Sequence, residues 1–205
     1  MEKHIKIPVI QYLAIIYNML EAFFVILFGT LTNSYALIGF GLDSIGESFT
    51  GMIMIRRMNR YDEETVKLKE VTVKPKPNIL LAIIFFGFGS FVFYHSVNNL
   101  MLGQAPAVSP AGMIIALISF IITPLLAFLS YKEKNSFSKA FISGLKAVWA
   151  YLFLSFSLLV VLSLNYFYGI WQGDPLIGLI TVIYLFRKSL EALLGWGTFQ
   201  EDKIQ

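Results

Sequence analysis

The sequence predicts an all-α membrane protein of six transmembrane helices, with both termini on the cytoplasmic side. Three observations predict it. The 205 residues are 57% hydrophobic and 14% charged, with a mean hydropathy of +0.69, which is more apolar surface than a soluble domain of this length hides. The apolar residues form six segments of roughly 20 residues, the length a helix needs to cross the hydrocarbon core. The Lys and Arg residues gather in alternate connections, as the positive-inside rule requires of cytoplasmic loops.

The first segment runs from Ile10 to Gly29. The preceding "MEKHIKIP" carries Lys3 and Lys6 and no small-residue cleavage site, so the span is expected to be retained and not removed as a signal peptide. The second runs from Ser34 to Ile55, after the uncharged turn "TLTN". A charged linker follows over 56–78, "RRMNRYDEETVKLKEVTVKPKPN", which reads as a solvated helical extension until Pro75 and Pro77 break it. The third segment, Ile79 to Met101, and the fourth, Gly112 to Ser130, flank "LGQAPAVSP", which has no Lys or Arg. Lys132, Lys134 and Lys139 separate the fourth from the fifth, Ala140 to Leu164. The uncharged-to-acidic "NYFYGIWQGD" leads to the sixth, Pro175 to Leu194, and Lys203 lies in the tail. Arg187, Lys188 and Lys146 sit within a few turns of the same cytoplasmic ends. No cytoplasmic domain is expected in the short tail, so 1–205 reads as a single six-helix domain. Period-two alternation is missing from the segments, which excludes barrel strands and leaves helices as the form that pairs its backbone in lipid.

The composition narrows the chemistry. Without cysteine there are no disulfides, thiolate ligands or cysteine nucleophile. No nucleophile–base pair is present, so an enzyme is not expected. The modest net charge of +3 is spread over span ends, and no nucleic-acid partner is expected. "GFG" with Gly46 lacks the preceding strand and following Lys-Ser/Thr of a phosphate loop. Gly39, Ser44, Gly46 and Ser48 are instead small residues that let neighbouring helices approach closely. "NYFYGIW" and Trp196 fit interfacial anchoring.

Three acids fall inside spans: Glu21 in the first, and Asp43 and Glu47 in the second. Each costs roughly 2.5–3.5 kcal/mol at a helix centre on insertion scales, so each needs a reason. Asn18 precedes Glu21 at i, i+3 and Asp43 precedes Glu47 at i, i+4, so each pair shares a helix face. Antiparallel neighbours that point these faces at each other would form an oxygen-rich cation cluster of Asp43, Glu47, Glu21 and Asn18. The plainer reading is that the acids are protonated or hydrogen-bonded between helices and act in packing. An oxygen-only set favours hard cations such as Mn, Mg or Ca, whereas Zn usually recruits His. Lys146 either snorkels to the cytoplasmic surface or pairs with Glu47 as a tethered cation in place of a metal. His95 in "FYHSVNN" is either a ligand or proton carrier, or an interfacial side chain that is simply hydrogen-bonded.

These residues carry a resemblance. "NSYALIGFGLDSIGES" resembles the second helix of the cation diffusion facilitators, in which a small-residue run leads to two metal ligands at i, i+4. "GDPLIGLITVIYLFRKSLEAL" looks like their sixth helix, opened by Asp-Pro, and "YNMLEAFFVILFG" with "GQAPAVSPAG" resembles a short branch that has the transmembrane domain alone. The resemblance implies a six-helix homodimer in the cell membrane that exports a divalent metal (Mn, Fe, Zn or Co) as its substrate in exchange for protons. It assigns Asp43 and Glu47 to the second-helix ligand pair. The family's fifth helix supplies two more ligands, usually His and Asp, but here those positions fall on Ala147 and Tyr151, or one turn on, Tyr151 and Ser155. Two functions stand against each other: a divalent-cation transporter, with Glu21 and Asn18 completing a relocated site, and a non-transporting relative with a degenerate site that serves as an interaction or structural subunit. A third, weaker reading is a carrier of monovalent or organic cations.

Overall fold

Six helices follow one another along the chain: α1 (Val9–Thr32), α2 (Tyr35–Met58), α3 (Ile79–Leu102), α4 (Pro110–Lys132), α5 (Ser138–Tyr168) and α6 (Gly173–Leu194). The computed structural model describes residues 9–58, 77–132 and 138–195, and among them there is no strand. The body of the linker, 59–76, lies outside the described residues. Each predicted segment falls within one helix, except that Ser34 stands just ahead of α2, where it caps it. α2 and α6 run in the same direction, because Ser34 and Ala36 meet Asp174 near their starts and Asp43 and Glu47 meet Lys188 further along both.

Local chemistry accounts for the helix ends. Ser34 Oγ accepts from the Leu37 amide at 3.2 Å, and Ser109 Oγ from the Gly112 amide at 3.1 Å; each satisfies a donor that the first turn leaves free. Asn78 does the same for Leu81 at 3.1 Å. Pro110 takes the first position of α4, where its missing N–H costs nothing. Gly103 and Gly195 close α3 and α6 with φ of 64° and 71°, a left-handed conformation that glycine adopts without strain.

Three helical stretches are long and apolar enough to cross a membrane: Val9–Thr32, Ile79–Leu102 and Trp149–Tyr168. Pro110–Leu126 is a shorter apolar stretch. α2 and α6 are less apolar because they carry Asp43 and Glu47, and Asp174, Arg187, Lys188 and Glu191. The outer surface is hydrophobic: Leu20, Phe23, Leu80, Ile83, Ile121 and Ile183 are all exposed.

α2 is the central helix and packs on α1, α3, α5 and α6, while α3 pairs with α6 and α4 with α5. Val25, Leu37, Phe40, Tyr151, Leu158 and Leu162 form the larger core between α1, α2 and α5. Leu81, Phe85 and Leu185 form a smaller one between α3 and α6. Small residues on α2 make these contacts possible, as expected for a helix bundle in lipid. A Cβ at Gly46 would overlap the Phe85 ring, and one at Gly39 would press on Thr181 and Val92 at 3.2 and 3.3 Å.

The end of the bundle that holds the three short connections is tied by polar groups. Asp174, fully buried at the start of α6, accepts from Ser34 Oγ and, at 3.4 Å, from the Ala36 amide. Ala107 donates its amide to Thr32 at 2.8 Å, and Asn165 its side-chain amide to Pro106 at 3.2 Å. Asp174→Ala leaves Ser34 and the first turn of α2 with unpaired buried donors. It is therefore expected to cost about 1–3 kcal/mol. Thermal unfolding in detergent reads this as a lowered midpoint, and an unshifted midpoint would show that the tie carries no stability.

Candidate cation site

Asp43 and Glu47 lie one turn apart on α2, and both carboxylates converge on a single cation, the ammonium of Lys188 from α6. Lys188 Nζ donates to Asp43 Oδ1 at 2.7 Å and to Glu47 Oε1 at 3.0 Å. The side chain of Asp43 is fully buried, those of Lys188 and Glu47 are 15% and 25% exposed, and the second Asp43 oxygen, Oδ2, is buried without a hydrogen-bond partner. Tyr184 and Phe85 wall the ammonium, with ring centroids 4.4 and 5.7 Å away. An ammonium over an aromatic face is attracted by the ring quadrupole, most strongly where water is excluded. Two carboxylates against one ammonium leave one net negative charge when all three are ionised.

Helix geometry explains why Lys188 reaches inward. A helical side chain points back toward the N-terminus of its helix, and α6 begins at the Asp174 end. Lys188 sits six residues before Leu194, about 9 Å from the near end of α6, yet its stem turns away from that end toward Asp43. Arg187, about 100° around the helix, faces outward and pairs with Glu191 at 2.9 Å.

The expected single cluster of Asp43, Glu47, Glu21 and Asn18 is not formed. No group of three or more His, Cys, Asp or Glu side chains able to hold a metal occurs among the described residues. Glu21 instead meets α2 at Ser44, the residue after Asp43, on a face turned about 100° from it. There Oε1 accepts from Tyr17 at 3.0 Å and from Ser119, while Oε2 accepts from Ser44 at 2.8 Å and from Tyr151. Glu21 of α1 therefore takes its α2 hydrogen bond at Ser44, and Lys188 of α6 takes its own at Asp43 and Glu47. Glu21 is thus surrounded by four hydroxyls, contacts of the kind that hold helices together in lipid. Asn18, half-buried a turn earlier on α1, is hydrogen-bonded to none of the three acids.

Lys188 holds the position that the sequence reading offered to Lys146. The side chains of Lys146 and Ala147 lie outside the described residues. Tyr151, at an expected fifth-helix ligand position, is buried with its ring 5.0 Å from that of Phe40 and its hydroxyl on Glu21. Ser155 donates to Leu152 O in its own helix at 3.2 Å. His95 stacks on Tyr35 at 4.7 Å, with Phe91 and Tyr94 around it. Lys188 was legible in one respect. Asp174, Gly178, Thr181 and Leu185 form the buried stripe of α6, and Lys188 is the next step along it.

No family model matches the chain. Protein p34 of Rickettsia prowazekii (strain Madrid E) is 24% identical over 199 residues, which cover 91% of this chain and 63% of that protein. The chain therefore spans less than two-thirds of the length of this relative.

Removing one partner of a buried ion pair strands the other, at a cost of about 3–5 kcal/mol. Lys188→Met, which strands both carboxylates, is expected to destabilise the protein by about that much, Asp43→Asn by less because Lys188 keeps Glu47 at 3.0 Å, and the double variant by less than the sum of the two. A double-mutant cycle on unfolding in detergent measures this, and strict additivity would mean that the pair does not interact.

Proposed function

We propose that this chain is a secondary transporter of divalent cations, with Asp43 and Glu47 as the cation-binding carboxylates and protons as the exchanged ion. The observation that carries the reading is the convergence of both carboxylates on one cation, with Asp43 Oδ2 still unpartnered. Two acids held at such a point inside an apolar bundle are a ready ligand set for a hard cation. Protonation of either carboxylate would compete with the cation, which supplies coupling to a pH gradient. The resemblance of "GFGLDSIGES" to the second helix of the cation diffusion facilitators supports the same reading, as do the small residues that bring α2 against its neighbours. In this proposal all six helices span the cell membrane, both termini are cytoplasmic and the protein works as a homodimer.

A second reading rests on Lys188. A lysine in the place of a metal also suits a relative that keeps the fold and no longer transports, serving as an interaction or structural subunit.

Flux in proteoliposomes with an imposed pH gradient separates the two. Transport predicts metal-dependent proton movement that Asp43→Asn reduces at least about tenfold, the factor that 1.4 kcal/mol of lost cation binding produces. Absence of flux with Mn, Fe, Co and Zn, in protein shown to be folded, would favour the second reading. The topology has its own test, because the chain contains no cysteine. A cysteine at Gln104 is expected to react with an impermeant maleimide in intact cells, and one at Lys69 only after permeabilisation; the reverse pattern would invert the orientation.

A further inference from the structure

We propose that Lys188 is a tethered competitor for the cation site, which a divalent cation must displace in order to bind. The inference rests on the reading of Asp43 and Glu47 as a cation site and adds what controls access to it. Both oxygens that the ammonium touches, at 2.7 and 3.0 Å, are oxygens that an entering cation would need. The ammonium also fills the space between the carboxylates and the rings of Tyr184 and Phe85.

Charge makes the competition selective. With Lys188 in place the acids carry one net negative charge, so a divalent cation added beside it leaves an uncompensated positive charge in a low-dielectric site. With Lys188 withdrawn, two carboxylates neutralise one divalent cation. A monovalent cation, by contrast, is neutralised with Lys188 retained. Lys188 therefore sets the charge class that the site accepts, and divalent binding depends on its departure.

The fold provides a place for the ammonium to go. Lys188 lies about 9 Å from the end of α6 at Leu194. Rotation of the stem away from the carboxylates carries the ammonium toward that end, the direction in which a lysine snorkels. Gly46 leaves room for the Phe85 ring against α2, which places that ring beside the ammonium. The population of the withdrawn rotamer sets the apparent affinity, as for any site whose competent state is only partly populated.

The test is titration of the full chain in detergent with MnCl2, comparing wild type with Lys188→Met, Lys188→Arg and Asp43→Asn. Lys188→Met is expected to bind Mn at least about tenfold more tightly than wild type. Lys188→Arg, which keeps the charge, should stay at or below the wild-type affinity, and Asp43→Asn should lose binding. In the wild type, added Mn is also expected to raise the reaction of Lys188 with an amine reagent, read by peptide mass spectrometry, because displacement exposes the amine. This measurement needs no folded variant. Equal affinity in wild type and Lys188→Met, or Mn binding that leaves Lys188 labelling unchanged, overturns the competitor role while the cation site stands. Failure of every form to bind Mn, Co or Zn overturns the site itself, and the competitor with it.

Discussion

An ammonium clasped by two carboxylates within an apolar bundle constrains the elements around it. α2 and α6 run in the same direction and are joined twice, by Ser34 and Ala36 to Asp174 near their starts and by Asp43 and Glu47 to Lys188 further along. Asp174 and Lys188 are 14 residues apart, so the two joints lie about 21 Å apart along α6. Two polar joints at that separation fix the register of one helix against the other, which apolar side chains of similar size specify poorly. The glycines of α2 serve the same alignment. Gly39 brings Thr181 and Val92 close, and Gly46 admits the Phe85 ring that walls the ammonium.

α2 thus faces two polar centres of different character. Asp43 and Glu47 are met by a charge, whereas Glu21 is met by hydroxyls from α1, α2, α4 and α5. The second arrangement satisfies both carboxyl oxygens and joins four helices, which suits a packing role. The first leaves an oxygen unpartnered and depends on a flexible side chain, which suits exchange. Consecutive residues, Asp43 and Ser44, belong to different centres because successive positions on a helix diverge by about 100°.

Much of the fold was legible because its signal is additive along the chain. The apolar runs and their Gly, Pro and Ser boundaries placed all six helices, and Ser34 reads as a cap as readily as a first helical residue. The acids of the site were also legible, since a carboxylate in an apolar run is conspicuous. Their partner was legible only as a position on the buried stripe of α6. Lys188 stands beside Arg187 near a helix end, where lysines ordinarily snorkel, and its inward turn depends on which face of α6 meets α2. Linear spacing likewise grouped Glu21 with Asp43. Depth in the bundle is readable from position along a helix, but the angular divergence of Asp43 and Ser44 matters only once Ser44 is known to meet Glu21 and Asp43 to meet Lys188.

The ionic contact itself is the claim on which the rest turns. Solid-state NMR of the full chain in lipid bilayers, with labelled lysine nitrogen and labelled Asp and Glu side-chain carboxyl carbons, measures the dipolar coupling across it. The account predicts strong coupling between the Lys188 side-chain nitrogen and the carboxyl carbons of both Asp43 and Glu47, lost on Lys188→Met. A lysine–carboxyl signal that survives Lys188→Met unchanged, or no such coupling in folded wild-type protein, would contradict it.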